Sequence, residues 1–267
     1  GGASGRMGQR DSPEGRVKGF LDMHRFFADP SQIGEKEIVI TGPDINHIRN
    51  VLRMRTGEEI LIADGQGSEY RCLLREIRED EVRAEICWKL DGSAELPSAV
   101  TLFQGLPKSD KMDFIVQKCV ELGVSRIVPV STRRTVVKLD AKKEESRRKR
   151  WTGISESAAK QSGRGVIPEI SGVMSFREAL EEAEKLDVCL IPYERAENMA
   201  HTREVLGGIP SGSSIGIFIG PEGGFEEEEV EKAMAAGAKP ITLGRRILRT
   251  ETAGMAVMAM LGYLLEE

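Results

Sequence analysis

The chain has 267 residues, which is enough for one large domain or two smaller ones, each with a buried core. Apolar residues make up 40% of it and charged residues 30%, a composition typical of a soluble globular protein. Its longest nearly apolar stretch, from Gly254 to Leu265, is too short to span a bilayer and is better interpreted as a buried or interface helix. The net charge of −5 argues only weakly against a nucleic-acid partner, because the distribution of charge matters more than its total.

The N-terminal segment, residues 1–22, is rich in glycine and charge and has no apolar region like that of a secretory signal. We interpret it as an expression scar or a disordered leader, with a genuine N-terminal extension as the alternative. The native fold is expected to begin near Met23.

The four cysteines are far apart in the chain, and none forms a CxxC pair. Neither a zinc site nor a disulfide framework is therefore expected, and no metal is predicted. Reduced cysteines in the core of a cytoplasmic protein are the better interpretation. These residues are Cys72, Cys87, Cys119 and Cys189.

The segment from Met23 to about Leu90 shows short, mostly β-type patterns separated by turn signals. A helix is predicted near Asp44 to Leu52, with Asp44 as its N-cap. Several short strands and one helix favour a small barrel-like domain over residues 23–94. The strands are predicted at Glu37 to Ile40, Glu59 to Ala63, Glu69 to Ile77 and Arg83 to Trp88.

A turn-rich break at Asp91 to Pro97 separates this domain from a second one over residues 98–267, in which strands and helices alternate. That alternation predicts an α/β domain with a mostly parallel sheet. Strands are predicted at Ala99 to Gln104, Ile127 to Val130, Val188 to Pro192, Ile215 to Ile219 and Pro240 to Leu243. Helices are predicted at Asp110 to Leu122 (preceded by Ser109 and followed by Gly123 as terminal signals), Lys142 to Ser162, Phe176 to Lys185, Glu226 to Ala236 and Ala253 to Leu265.

A glycine-rich turn, Gly220 to Gly224, follows the apolar strand Ile215 to Ile219 and precedes a helix. Ligands of parallel α/β sheets bind at such strand ends, and glycine lets the backbone approach them closely. No GxxxxGK[ST] or GxGxxG motif is present, which disfavours a nucleotide-dependent oxidoreductase. Glu222 and the run Glu226 to Glu229 would oppose a phosphate, so a ligand with cationic or neutral groups fits better. A tight turn without a ligand remains the alternative.

A second loop, Leu243 to Ala253, also lies between a predicted strand and a helix. Thr250 or Thr252 could cap that helix. Arg249 and Glu251 are candidate functional charges, although solvated residues of a surface loop are the alternative. Two ligand-type loops at equivalent strand ends favour a binding site.

A basic run extends from Arg133 to Arg150, with nine basic and three acidic residues. It indicates an RNA-binding face or, equally well by itself, a solvated helix face. The same helix closes with Ser157 to Arg164, whose glutamine and arginine can contact nucleotides, although polar residues at helix ends usually face water.

The two C-terminal loops, GPEGG at 220–224 and LGRRILRTETA at 243–253, resemble the cofactor-binding signature of SPOUT methyltransferases. Further segments are similar to the ribosomal RNA small subunit methyltransferase E family within that superfamily, over about residues 23–265. Lys160 departs from the pattern, because that family more often has glutamate there. The matching segments are Met23 to Phe27, His47 to Arg53, Lys111 to Asp113 with Lys118, Glu121 to Val124, and Gln161 to Arg164.

The resemblance implies an α/β fold made of a small N-terminal PUA-like β-barrel domain and a C-terminal trefoil-knotted domain, although general topology rules argue against a knot. It also implies a homodimer, S-adenosyl-L-methionine as cofactor, and methylation of N3 of a uridine in 16S (small-subunit) ribosomal RNA or the assembled 30S subunit. Other SPOUT enzymes, acting on transfer RNA or a ribose 2′-hydroxyl, and a non-catalytic ribosome-assembly factor remain as alternatives.

Site residues follow from the resemblance and from the loops described above. Arg249 is the candidate cation for the uracil anion, and Glu222 or Glu251 would hold that arginine or receive a proton. The cofactor is expected against Ile191, Pro192, Gly220, Glu222, Gly223, Gly224, Leu243, Gly244, Ile247, Leu248, Thr250 and Ala253. RNA is expected against Arg25, Arg49, Arg53, Arg133, Arg147, Arg148, Arg150, Gln161 and Arg164.

Overall fold

A computed structural model describes residues 23–90, 94–193, 196 and 198–266 of the chain. The predicted leader, residues 1–22, lies outside the described residues, as do residues 91–93 of the predicted break. The chain divides into two compact units, one ending at Ser93 and the other beginning at Ala94. No helix in the described part of the chain is long and apolar enough to cross a membrane.

The N-terminal unit is built on a five-stranded sheet with the order β1-β3-β4-β5-β2. Its pairs are antiparallel except for β1 with β3, which are parallel. Alternate residues of the strands, such as Ile38, Ile60 and Leu74, are fully buried and form the core of this unit. The strands are β1 (Arg25–Phe27), β2 (Glu37–Ile40), β3 (Glu59–Ala63), β4 (Glu69–Ile77) and β5 (Val82–Leu90).

The one helix predicted in this unit begins differently from the expectation. Helix α1 (Pro43–Asn46) continues into a wider helical turn, His47–Val51. Asp44 is not its N-cap, because Gly42 occupies the cap position and Pro43 stands at the start of the helix. Proline is favoured there because the first helical N–H groups have no partner within the helix.

The C-terminal unit contains a seven-stranded sheet with the order β12-β10-β11-β6-β7-β8, and β9 pairs with β7. Every strand pair is parallel, which confirms the predicted α/β class. The strands are β6 (Val100–Gly105), β7 (Arg126–Ser131), β8 (Glu169–Ile170), β9 (Met174–Ser175), β10 (Val188–Pro192), β11 (Ile215–Ile219) and β12 (Lys239–Ile241). The helices are α2 (Lys111–Glu121), α3 (Ala141–Ser162), α4 (Phe176–Ala183), α5 (Met199–Gly207), α6 (Glu227–Ala235) and α7 (Thr250–Leu265).

Two predicted helix starts in this unit are wrong. Asp110, not Ser109, occupies the N-cap position of α2, and Ser109 instead has a left-handed backbone with φ of 57°. Helix α7 begins at Thr250, so neither Thr250 nor Thr252 caps it; Arg249 stands at the cap position without a capping side-chain bond.

The strand order reverses between β6 and β11, which are hydrogen-bonded neighbours. From β6 the chain moves outward to β7, whereas β10, β11 and β12 lie on the other side. A buried stack of Phe103 on Phe218, with ring centroids 4.6 Å apart, joins these two central strands. In open α/β sheets ligands bind outside the carboxyl ends of the strands at such a reversal. A ligand site is therefore expected among the loops that follow β10, β11 and β12.

Candidate active site

A cavity of about 640 Å³ lies at the carboxyl ends of β10, β11 and β12. Its wall is formed by Pro192 and Tyr193 at the end of β10, by the turn from Gly220 to Phe225 after β11, and by the loop from Thr242 to Thr250 after β12. The two loops singled out in the sequence thus border one cavity. Its volume falls in the range of pockets that hold small molecules and cofactors.

The glycine turn, which we define as Gly220 to Gly224, folds back on itself. The N–H of Gly224 donates to the carbonyl oxygen of Pro221 at 2.8 Å, and Gly224 has a φ of 69°. A Cβ at Gly220 would lie 2.9 Å from the Cα of Gly224. A side chain at Gly220 would require the backbone to move, and one at Gly224 would have to adopt a left-handed conformation, so both glycines shape this wall.

The second loop is tied to the glycine turn by a chain of hydrogen bonds. Thr250 Oγ1 donates to the carbonyl oxygen of Gly220 at 2.6 Å. Gln104, fully buried at the end of β6, donates from Nε2 to Thr250 Oγ1 at 2.9 Å. Buried polar groups in such a chain reinforce one another and fix their neighbours. The start of α7, the glycine turn and β6 are therefore held together.

A lysine lies between the two predicted carboxylates. Lys111 Nζ is 3.2 Å from Glu222 Oε1 and 3.5 Å from Glu251 Oε2. The backbone N–H of Lys108 also donates to Glu222 Oε1 at 2.9 Å. Partial burial acts to raise the pKa of Glu222, but these hydrogen bonds and the ammonium outweigh it, so its pKa lies below the usual value. Glu222 is therefore an ionised carboxylate at neutral pH.

Arg249 lines the cavity and is exposed, and its guanidinium makes no hydrogen bond or ion pair to a described residue. The expectation that Glu222 or Glu251 holds Arg249 is wrong, because both carboxylates pair with Lys111. The cation of Arg249 is thus free to meet a ligand.

Eleven of the twelve residues that we expect to contact the cofactor line the cavity, and Ile191 does not. Ile191 is fully buried in the core of the sheet, so it cannot contact a ligand there. Its neighbour Pro192 lies at the strand end and borders the cavity instead. Bordering the cavity are Pro192, Gly220, Glu222, Gly223, Gly224, Leu243, Gly244, Ile247, Leu248, Thr250 and Ala253.

Sequence reasoning assigned no cofactor contact to Lys111, Arg134, Tyr193, Phe225 and Thr242, which also border the cavity. Lys111 belongs to a segment that carries the family resemblance, and this was the signal available for it. Arg134 lies in the basic run, where an RNA contact was the more obvious interpretation. The role of Gln104 in holding Thr250 could also have been suspected, because Gln104 is a polar residue inside a mostly apolar strand.

The residues expected to bind RNA fall into different settings. Arg164 is 2% exposed, donates to the carbonyl oxygens of Val120 and Val124 at 2.9 and 2.7 Å, and pairs with Glu95. It is a buried structural residue, so its assignment to RNA binding is wrong. Arg25 is also mostly enclosed, with its side chain 13% exposed beside Glu69.

The remaining members of the RNA set are accessible to varying degrees. Arg147 is half-buried, and Arg148 and Arg150 are exposed on α3. Arg150 pairs with Asp113 of α2. Four others are at least partly exposed: Arg49, Arg53, Arg133 and Gln161. Of these, Arg49 lies 3.8 Å from Glu79, and Arg133 pairs with Glu228.

Comparison with known proteins agrees with this geometry. A family model described as an RNA methyltransferase domain matches residues 94–262, and one described as an RNA methyltransferase PUA domain matches residues 40–87. The ribosomal RNA small subunit methyltransferase E of Bacillus subtilis is 37% identical over 250 residues, covering 91% of this chain and 98% of the relative. The chain belongs to the ribosomal RNA small subunit methyltransferase E family.

Two further members of this family support the assignment. The methyltransferase E of Mesomycoplasma hyopneumoniae is 35% identical, covering 88% of this chain and 97% of that relative. The crystal structure of ribosomal RNA small subunit methyltransferase E from Neisseria gonorrhoeae bound to S-adenosyl methionine is 35% identical, with a TM-score of 0.78. It covers 91% of this chain and 98% of that one. The chain is thus a methyltransferase with a PUA-like N-terminal domain.

Proposed function

We propose that this protein transfers a methyl group from S-adenosyl-L-methionine to N3 of one uridine in 16S ribosomal RNA, acting in the cytoplasm. The observation that carries the proposal is the glycine-walled cavity of a methyltransferase E family member, with Arg249 at its edge and paired with no described residue.

The residues around the cavity fit S-adenosyl-L-methionine. The glycine turn forms a cradle that a Cβ at Gly220 would fill, and Leu243 and Leu248 offer apolar contact for an adenine ring. Glu222 supplies negative charge, which suits a cationic ligand and opposes a phosphate-bearing one. When bound, the cofactor supplies a methyl group already activated on a sulfonium. We assign its binding to the eleven cavity residues named above, through backbone groups for the most part.

The protein has two tasks at the uracil. N3 carries a proton and lies on the pairing edge, so the base must be unpaired or extruded from the stack. Loss of that proton leaves negative charge on the uracil oxygens, and Arg249 is placed to stabilise it. Glu222 is a weak base because its pKa is lowered, so we assign it and Glu251 to fixing Lys111. The N3 proton passes to solvent water, which reaches the exposed Arg249 side of the cavity.

RNA binding is assigned to exposed cations outside the cavity. Arg147, Arg148 and Arg150 project from α3, and Gln161 is exposed near its end. The N-terminal PUA-like domain would add contacts through Arg49 and Arg53, and Arg133 would contact phosphate. Arg25, which is mostly enclosed beside Glu69, is left out of this set. The partner is small-subunit ribosomal RNA, and we propose that the assembled 30S subunit is the form methylated.

We also infer a homodimer. Phe114 on α2 is 43% exposed and Tyr263 and Leu264 on α7 are 88% and 45% exposed, and such apolar groups on packed helices suit a subunit interface. Replacing the small, exposed Ala259 of α7 with arginine is expected to convert dimers to monomers in sedimentation velocity. A monomeric unmodified protein would refute the dimer.

A trefoil knot in the C-terminal domain belongs to the same proposal. Its support is membership of the methyltransferase E family, together with two C-terminal loops that resemble those of SPOUT methyltransferases. A crystal structure that traces residues 215–265 through both loops tests this.

The function is tested by offering labelled S-adenosyl-L-methionine with small subunits lacking native modification and, in parallel, bulk transfer RNA. Label in the small-subunit RNA is the expected result. Label confined to transfer RNA would retain the methyltransferase and reject the substrate. Absence of both transfer and cofactor binding would favour a non-catalytic assembly factor.

A further inference from the structure

An arginine of the basic run points toward the cavity side of the fold. Arg134 lies in the loop between β7 and α3, and its Nη1 donates to the carbonyl oxygen of Gly223 at 2.7 Å. Its Nε donates to Glu226 Oε1 at 2.8 Å, just before α6 begins. One guanidinium therefore joins the glycine turn to the start of the next helix.

The stem of the same side chain packs on the turn. A Cβ at Gly223 would lie 3.3 Å from both Cβ and Cδ of Arg134, which is tight contact. The hydrogen bond from Arg134 is the main cause of the lowered pKa of Glu226, so the pair is a charged one at neutral pH. Arg134 thus holds Gly223 by packing and by hydrogen bonding, while it also borders the cavity.

The loop that carries Arg134 is anchored independently. The backbone N–H of Arg133 donates to Glu229 Oε1 at 2.9 Å, and Glu229 is 4% exposed. The other oxygen of Glu229 accepts from the N–H of Glu226 at 2.9 Å. Because Glu229 fixes both the loop and the start of α6, the guanidinium of Arg134 approaches the turn from a fixed position.

We propose that Arg134 is a positioning residue of the cofactor site, which sets the backbone of the glycine turn, and that it is not an RNA contact. The identity of the ligand rests on the proposed function above. A planar guanidinium offers two donors in a fixed geometry, which matches a carbonyl oxygen and a carboxylate side by side. An ammonium cannot reproduce that arrangement, so lysine should substitute only in part.

The test is calorimetric titration of S-adenosyl-L-methionine into the full-length protein, with RNA binding measured in parallel. Arg134→Gln is expected to raise the Kd for the cofactor about tenfold or more, and Arg134→Lys by less, since charged hydrogen bonds are lost in both. KM for the cofactor should rise while kcat at saturating cofactor changes little. The Kd for RNA should stay within about twofold. Arg177→Gln, which removes an exposed arginine of α4 paired with Glu181, is the matched control and should bind the cofactor normally.

Normal cofactor binding by Arg134→Gln would overturn the inference, and so would an equal loss of RNA binding. If glutamine prevents folding, Arg134→Lys keeps the stem packed on Gly223, and full cofactor affinity in that variant would equally contradict the need for a guanidinium. Failure of the unmodified protein to bind the cofactor would instead refute the proposed function, and this inference with it.

Discussion

Arg249 stands at the first residue before α7, exposed at the cavity and without an ion pair to a described residue. If it stabilises the uracil anion, Arg249→Ala should lower kcat by about 10²- to 10³-fold, the effect of removing one donor from an anion-stabilising site. The Kd for S-adenosyl-L-methionine should change little. Single-turnover methyl transfer at saturating cofactor measures this. Arg246→Ala, which removes a neighbouring charge of the same loop, should cost far less; equal losses would mean that net charge, not the position of Arg249, matters.

The pair of Glu222 with Lys111 predicts a dependence of stability on pH. The pKa of Glu222 is below its ordinary value of 4.5 in the folded protein, so folding favours the ionised form. That stabilisation is present above the unfolded pKa and is lost as the pH falls through the folded pKa. Between pH 7 and pH 3, Tm should therefore fall more for the unmodified protein than for Glu222→Gln. Parallel falls in thermal melts would show that the pair contributes nothing.

For individual residues, the sequence indicated which glycines and charged side chains lie next to strand ends, but not which residues they pair with. Glu222 and Arg249 stand in recognisable loops, whereas the pairing of Glu222 with Lys111 joins residues more than a hundred positions apart. Arg164 shows the opposite failure, since a polar residue after a helix gave no sign that Glu95 and two carbonyl oxygens would enclose it. Burial of this kind depends on tertiary packing, which local sequence does not contain.

Among the elements, the glycine turn depends most strictly on backbone geometry. A Cβ at Gly220 would lie 2.9 Å from both Cα and C of Gly224, so Gly220→Ala must displace backbone atoms. The Kd for S-adenosyl-L-methionine should rise at least tenfold, since the cavity wall moves. Gly207→Ala at the end of α5 is the matched control, because its Cβ would meet nothing within 4 Å. Calorimetry measures the Kd for both variants. Unchanged cofactor binding by Gly220→Ala would contradict the assignment of the glycine turn to the cofactor site.

Helices and strands were predictable where the segment is long enough to show a regular pattern of apolar residues. Strands β2, β3, β4, β10 and β11 have the predicted bounds, because each is a run of apolar or alternating apolar and polar residues. Strands β8 and β9 have two residues each, too few to show any period. Helix α5 was missed although Asn198 caps it by accepting from the N–H groups of Ala200 and His201. The helix is nine residues long and buries only Thr202 and Leu206, so the sequence shows no clear apolar stripe.

For the whole molecule, the proposal separates RNA binding on α3 from cofactor binding in the cavity. Replacing Arg147, Arg148 and Arg150 together with glutamine should weaken RNA binding and reduce the slope of log K against log salt by about 2. Cofactor affinity should be retained, because none of the three residues borders the cavity. Filter binding over a salt series and calorimetry provide the two readouts. Equal loss of both affinities would contradict this division.

Methylation of N3 of one uridine is tested by identifying the methylated nucleoside. Small subunits lacking native modification are incubated with the protein and labelled S-adenosyl-L-methionine, and the RNA is digested to nucleosides. We expect N3-methyluridine at a single position, with Arg249→Ala giving far less of it. A methyl group on ribose, or on any base other than uracil, would show that the protein is not a uracil-N3 methyltransferase.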